Sequence, residues 1–288
     1  MVCFWYNQNM ESFILIAAFM FGTIIGSFLN VVILRFRTKE TLGGRSRCFS
    51  CGKELSWYEL VPILSFLYQG GRCRTCGSHI SWQYPIVEAV TGFMAVGAVI
   101  AFYSRLPLYD AALNFGFFFL LGCVGIILAV YDFKHMILPD EFVWLFNAVA
   151  VTSLVPPLAT RITADGSFVA GIAFFAFFAS LWFVSGGRWM GLGDAKLSLG
   201  IGWFLGWSGG GMALLVAFST GAMVGVLLIA ASKFRALFLP ERYATLKSEI
   251  PFGPFMLLGV FIIALSGIDF MTLTSFFIVE GIPILWKF

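Results

Sequence analysis

Charge is what this chain has least of. Of its 288 residues, 11% are Asp, Glu, Lys or Arg and 60% are hydrophobic, where a soluble domain carries about 25% charged residues. That shortage excludes an ordinary water-soluble globular protein and places the chain in a bilayer. Histidine is rarer still, with His79 and His135 the only two. His135 follows Asp132 by three positions, but no Ser or Cys nucleophile with an orienting acid lies near it, so a catalytic triad is not expected. No Rossmann-type glycine loop is visible for a nucleotide-like cofactor, and no nucleic-acid partner is expected. A cleavable signal is not expected either: residues 1–10 lack a basic stretch, and the apolar run that follows is too long.

What is there is apolar sequence in long runs. Residues 13–34 contain only Thr23, Ser27 and Asn30 as polar positions, enough to cross about 30 Å of hydrocarbon. Comparable runs begin near Pro85, Ala111, Phe142, Ser167, Ala195, Gly211 and Phe252. The expected fold class is an all-α polytopic membrane protein of about eight transmembrane helices. The run from Ala195 to Trp207 is short, and Gly209-Gly210-Gly211 after it reads as a tight turn between two helices. Expected domains are a first transmembrane helix at 1–34, a soluble module at 35–84, and a seven-helix membrane domain at 85–288.

The basic residues give an orientation. If the first span exports the N-terminus, fifteen Lys and Arg fall on one side and three, Arg105, Arg161 and Lys287, on the other. The richer side is expected to be cytoplasmic.

Four of the six cysteines lie in the module, in a repeat of 25 residues. Arg47-Cys48-x-x-Cys51-Gly52, followed by Ser56-Trp57, returns as Arg72-Cys73-x-x-Cys76-Gly77, followed by Ser81-Trp82. Each half has the pattern of a metal knuckle. Cys48, Cys51, Cys73 and Cys76 together suit tetrahedral Zn²⁺, with iron or two disulfides as the alternatives, and a cytoplasmic location weighs against disulfides. Cys3 and Cys123 have no partner at ligand spacing and read as apolar positions. Residues 55–68, greasy with aromatic ends but too short to span, suit a segment lying in the headgroup layer.

Two aspartates stand at the ends of apolar runs: Asp132 after residues 122–131, and Asp194 within Gly191-Leu192-Gly193-Asp194-Ala195-Lys196. A carboxylate at membrane depth is costly and marks function. Both fall on the side rich in basic residues, where a pair sharing one proton would activate water. The plainer reading is two interfacial carboxylates, one of them capping a helix N-terminus. Lys196 reads as a neighbour that orients the site or as a snorkelling lysine. Glu88, just inside the second span, is left unassigned, its plainer reading being a first-turn acid.

Taken in order, these motifs resemble the type IV prepilin peptidases, bifunctional leader peptidases and N-methyltransferases within the GxGD membrane aspartyl proteases. The likeness runs through Gly26-Ser27-Phe28-Leu29-Asn30, the two cysteine pairs, Tyr84-Pro85-Ile86-Val87-Glu88, Asp132 with Leu138-Pro139-Asp140, the Gly191–Lys196 motif, and Pro251-Phe252-Gly253-Pro254. Phe49 stands where the family often has Pro. The resemblance implies Asp132 and Asp194 as the catalytic pair, selecting Asp132 over Asp140. It also implies S-adenosylmethionine as methyl donor, prepilins or pseudopilins with a basic leader and an apolar N-terminal helix as substrates, and a bacterial inner membrane location. A peptidase without methyl transfer, its zinc module purely structural, is the second reading. A metal-sensing or transport protein is the third, disfavoured because transport favours acids at mid-bilayer.

Overall fold

The computed structural model describes residues 2–38, 41, 43–103, 106–154, 167–238 and 250–267, with backbone alone at 2–11 and 231–238. Lys39, Arg105, Arg161, Arg242, Lys247 and Lys287, used above for orientation, lie outside the described residues, as do the side chains of Cys3, Lys233 and Arg235.

Every named element is helical: α1 Val2–Arg35, a 3₁₀ turn Trp57–Glu59, α2 Leu64–Tyr68, α3 Gln83–Tyr103, α4 Leu108–His135, α5 Asp140–Thr152, α6 Ser167–Ser185, α7 Leu192–Phe238 and α8 Gly253–Ser266. Among the described residues, five segments are long and apolar enough to cross a membrane: Ser12–Arg35, Gln83–Tyr103, Leu108–His135, Ser167–Ser185 and Leu192–Ala230. The expected apolar runs all recur as helix, but those of α5 and α8 form helices of 13 and 14 residues, and two of them share α7.

The junction within α7 corrects the sequence reading. The break is at Gly206, at φ 67° and ψ −164°, a backbone region essentially closed to residues with a Cβ. Gly209, Gly210 and Gly211 continue the helix instead. Gly210 lets α6 approach: a Cβ there would lie 2.6 Å from the Phe174 ring.

The chain divides into two compact units, Met1–Ile127 and Leu128–Phe288. In the first, α1 packs on α3 through small residues, as membrane helices do. A Cβ on Gly22 would lie 2.6 Å from the Thr91 carbonyl, and one on Gly26 would lie 2.8 Å from the Glu88 Cα. Asn30, fully buried in the apolar run of α1, ties the pair together. Its Nδ2 donates to the Tyr84 carbonyl at 3.2 Å and its Oδ1 accepts from Gln83 Nε2 at 3.1 Å.

In the second unit α7 is the hub. Gly171 of α6 meets Gly202 of α7, and Gly259 of α8 abuts the Ala213 backbone. Between α5 and α7 the ties are polar: Asn147 Nδ2 donates to the Lys196 carbonyl at 3.0 Å, and Ser153 Oγ to the Trp203 carbonyl at 3.3 Å.

Candidate functional site

The 25-residue repeat is a repeat of hydrogen bonds as well as letters. Cys48 N–H donates to Lys53 O and Gly52 N–H to Cys48 O; Cys73 N–H donates to Ser78 O and Gly77 N–H to Cys73 O. Each loop closes on an isolated β-bridge, Arg47 to Glu54 and Arg72 to His79. Gly52 and Gly77 sit at φ 72° and 70°, the left-handed conformation that folds the amides back over the sulfurs.

The two loops bring Cys48, Cys51, Cys73 and Cys76 together, with all four Sγ atoms within 4.8 Å of one another. Cys48 and Cys76 sulfurs are 3.8 Å apart, matching the edge of about 3.8 Å of a tetrahedron with 2.3 Å metal–sulfur bonds. The thiols also behave as a set that wants a cation. The Cys51 and Ser50 backbone N–H groups and the Ser78 hydroxyl lower the Cys48 thiol to about 6, and the Ser78 hydroxyl and N–H lower Cys76. The Lys53 N–H favours a thiolate at Cys51, but desolvation and the neighbouring thiols outweigh it and push that group up to about 11. Four sulfurs this close cannot all carry charge without a metal between them. The donor set therefore fits Zn²⁺, and His79 stands outside it.

The linker between the knuckles is fastened to both. Glu59 accepts from the Ser56 N–H at 2.9 Å and pairs with Lys53 at 3.4 Å. Those contacts, the Ser56 N–H foremost, hold its carboxyl below the ordinary value. The Arg74 guanidinium lies over the Tyr58 and Tyr68 rings at 5.4 and 4.9 Å. Phe66 turns inward onto Trp82 at 4.9 Å, while Trp57, Leu64, Leu67 and Tyr68 face outward, Tyr68 being 82% exposed.

In the second unit, Asp132 lies near the end of α4 and Asp194 in the first turn of α7, and both are buried. The Asp132 carboxylate accepts the Gly253 N–H at the start of α8, and Asp194 accepts the Gly191 N–H ahead of its own helix. Both carboxylates thus sit at helix N-termini, where backbone N–H groups point at anions. Asp194, the third residue of α7, reaches back to the N–H of the residue before its helix, and it is also close enough to Asp132 to feel its charge.

Leu138 packs where the starts of α7 and α8 meet. A Cβ on Gly193 would lie 3.0 Å from Leu138 Cβ, and one on Gly253 would lie 3.1 Å from Leu138 Cδ2 and 2.7 Å from Asp132 Oδ2. The two motif glycines therefore admit the Leu138 side chain between the starts of α7 and α8. Neither Leu138 nor Gly253 announces this in sequence, because the contact joins α5's entry loop to α7 and α8.

Lys196 does not turn to the aspartate pair. Its Nζ meets Asp140 Oδ1 at 2.7 Å, latching the start of α5 to α7. The His135 ring lies against the Tyr131 ring, with centroids 4.4 Å apart and planes tilted by 37°. Lys196→Met and Asp140→Asn should each lower the unfolding free energy by about 1 kcal/mol at most, the usual range for a partly exposed ion pair. The double variant should be no worse than either single one, since both remove the same contact. Denaturant unfolding curves of the three variants check this.

Residues 20–102 match the Bacterial Peptidase A24 N-terminal domain, and residues 117–226 match the Type IV leader peptidase family. The first range holds the four cysteines and Glu88; the second holds both aspartates. The chain is 34% identical to a prepilin leader peptidase/N-methyltransferase of Bacillus subtilis strain 168, over 86% of this chain and 93% of that protein. It is 35% identical to the protein of that name from Myxococcus xanthus strain DK1622, over 76% of this chain. That match spans 64% of the Myxococcus protein's length. The Pseudomonas aeruginosa relative of the same name is 27% identical over 85% of this chain and 88% of its own. No solved structure matches. With both aspartates inside one matched region and the four cysteines inside the other, the chain belongs to the type IV leader peptidase family.

Proposed function

We propose that this chain cleaves the leader from prepilins and prepilin-like proteins with Asp132 and Asp194, then methylates the new N-terminal amine. The observation that carries the reading is the placement of two buried carboxylates, within reach of each other's charge, at two helix N-termini. Two such groups hold a single proton between them, because a second negative charge there is costly. The ionised one takes a proton from water as its oxygen attacks the scissile carbonyl. The neutral one gives its proton to the carbonyl oxygen. The first carboxyl then passes its new proton to the amide nitrogen while the second takes one back from the diol, and the tetrahedral species collapses to a carboxylic acid and the free amine. At Gly191 a Cβ would meet nothing closer than Asp194 Oδ2 at 3.5 Å, so the backbone there can approach an extended substrate beside Asp194.

The location follows from charge. With the N-terminus outside, Asp132, Asp194 and the cysteine module all face the cytoplasm, in a bacterial inner membrane. A prepilin's apolar N-terminal helix then lies in the bilayer while its basic leader reaches the aspartates. The outward aromatic and leucine side chains of residues 57–68 support a module resting in the headgroup layer. Cys48, Cys51, Cys73 and Cys76 would hold Zn²⁺, which fixes the two knuckles to each other. S-adenosylmethionine supplies the methyl group as an electrophile, and no residue of this chain is assigned to it.

The test is the intact mass of a prepilin after incubation with the purified full-length protein, with and without S-adenosylmethionine. The expected product has lost the leader in both samples and gained one methyl group only with the donor. Uncut substrate would overturn the proposal. A cut product that never gains the methyl group would reduce the chain to a peptidase.

A further inference from the structure

The linker between the cysteine pairs contains a backbone turn that its own sequence does not favour. Ile63 sits at φ 61° and ψ −52°, and the Leu64 N–H donates to the Pro62 carbonyl across it. This is a γ-turn of the positive-φ kind, rare and strained, and a β-branched residue is the worst choice for its centre. Something outside the turn must hold it.

That partner is Glu88. The Ile63 N–H donates to Glu88 Oε2 at 2.7 Å. Glu88 is buried on α3, and the Ser27 hydroxyl of α1 bonds the same carboxylate. One acid therefore gathers a strained linker, α1 and α3 at a single point. From the turn, one arm leads back to the first knuckle through the Glu59 contacts to Ser56 and Lys53. The other leads through α2 to the second knuckle, where Arg74 lies over Tyr68.

We propose that Glu88 is a positioning residue whose carboxylate clamps the strained Ile63 turn and so fixes the four-cysteine module against the α1–α3 pair. It does no chemistry on the substrate amine. A charge-assisted bond from a backbone N–H to a buried carboxylate is among the strong ones, which suits it to hold a turn that Ile63 resists.

Ile63→Gly separates the clamp from any chemical role, because glycine adopts positive φ without strain. The measurement is amide hydrogen exchange of the 57–68 peptide in zinc-loaded, full-length protein. The variants are Glu88→Ala, Glu88→Gln and Ile63→Gly, together with the Ile63→Gly/Glu88→Ala and Ile63→Gly/Glu88→Gln doubles. Glu88→Ala should speed exchange in that peptide by about tenfold or more, the loss expected for a hydrogen bond to a charged group. Glu88→Gln, which keeps an oxygen acceptor, should fall between it and wild type. In the Ile63→Gly background, Glu88→Ala should change exchange by no more than about twofold. Unchanged exchange in Glu88→Ala, or effects of Glu88→Ala and Ile63→Gly that simply add, would overturn the clamp. If Glu88→Ala does not fold, Glu88→Gln alone and in the Ile63→Gly background makes the same comparison. An activity arm rests on the proposed function: Glu88→Gln should lose methylation more than cleavage, and Ile63→Gly should restore it. Methylation lost in Glu88→Gln and not restored by Ile63→Gly would assign Glu88 to chemistry instead.

Discussion

Asn in place of Asp132 or of Asp194 should abolish leader cleavage while leaving the protein folded. An amide neither takes a proton from water nor shares one, so each change removes one half of the acid–base work. The expected loss is about a thousandfold or more, in the upper range for a positioned acid or base. The two variants should be equally inactive, and the double variant no worse, because the pair acts as a unit. Both should keep their metal and their thermal unfolding midpoint, since Asn retains an oxygen that accepts the Gly253 or Gly191 N–H. Cleavage assays and unfolding curves on the three variants decide this; normal cleavage by either single variant would sink the aspartyl mechanism.

The second large effect concerns the metal. Purified protein should carry about one Zn²⁺ per chain, since four thiolates satisfy one tetrahedral ion. Cys48→Ser together with Cys51→Ser should empty the site. Structural zinc in small knuckles contributes about 10–16 kcal/mol of apparent binding at neutral pH, more than a short module without a core can replace. Residues 35–84 should then become protease-sensitive, and methylation should fall at least as far as cleavage. Loading should also release protons, because Cys51, held up at about 11 without a cation, must bind as thiolate. Cys48, lowered to about 6, keeps its thiolate at neutral pH and gains a proton as pH falls, so acid should strip the metal. Elemental analysis and thiol alkylation test this. A metal-free protein prepared without chelator, with all four thiols alkylating freely, would refute the site.

Much of this architecture is legible in the sequence, for physical reasons. Hydrocarbon leaves no alternative to helix, so apolar runs such as 13–34 and 167–185 declare themselves. The cysteine module declares itself because its ligands are local and duplicated: Cys48 and Cys73 repeat both spacing and hydrogen bonds. What stayed hidden depends on partners distant along the chain. A glycine that breaks a helix and one that admits a neighbour look alike in sequence, which is why Gly209–Gly211 suggested a turn that lies at Gly206. Leu138 becomes meaningful only once Gly193 and Gly253 close on it, and Lys196 only once Asp140 meets it. Asn30 and Glu88 are polar groups in apolar helices and so need partners, but these lie far along the chain or in the linker, at Tyr84 and Ile63.

The central claim is that Asp132 and Asp194 act on the same reacting atoms. It is tested most directly by a peptide spanning the leader junction whose scissile carbonyl is replaced by a tetrahedral hydroxyl group. Mimics of a transition state bind far more tightly than substrates, by about 10²-fold or more, and here the hydroxyl would lie between one ionised and one neutral carboxyl. Affinity should be measured for wild type, Asp132→Asn and Asp194→Asn by calorimetry in the same detergent or nanodisc. Tight binding to wild type, weakened about tenfold or more in both variants alike, is the predicted result. Equal affinity for all three proteins, or a loss confined to one variant, would contradict a shared site.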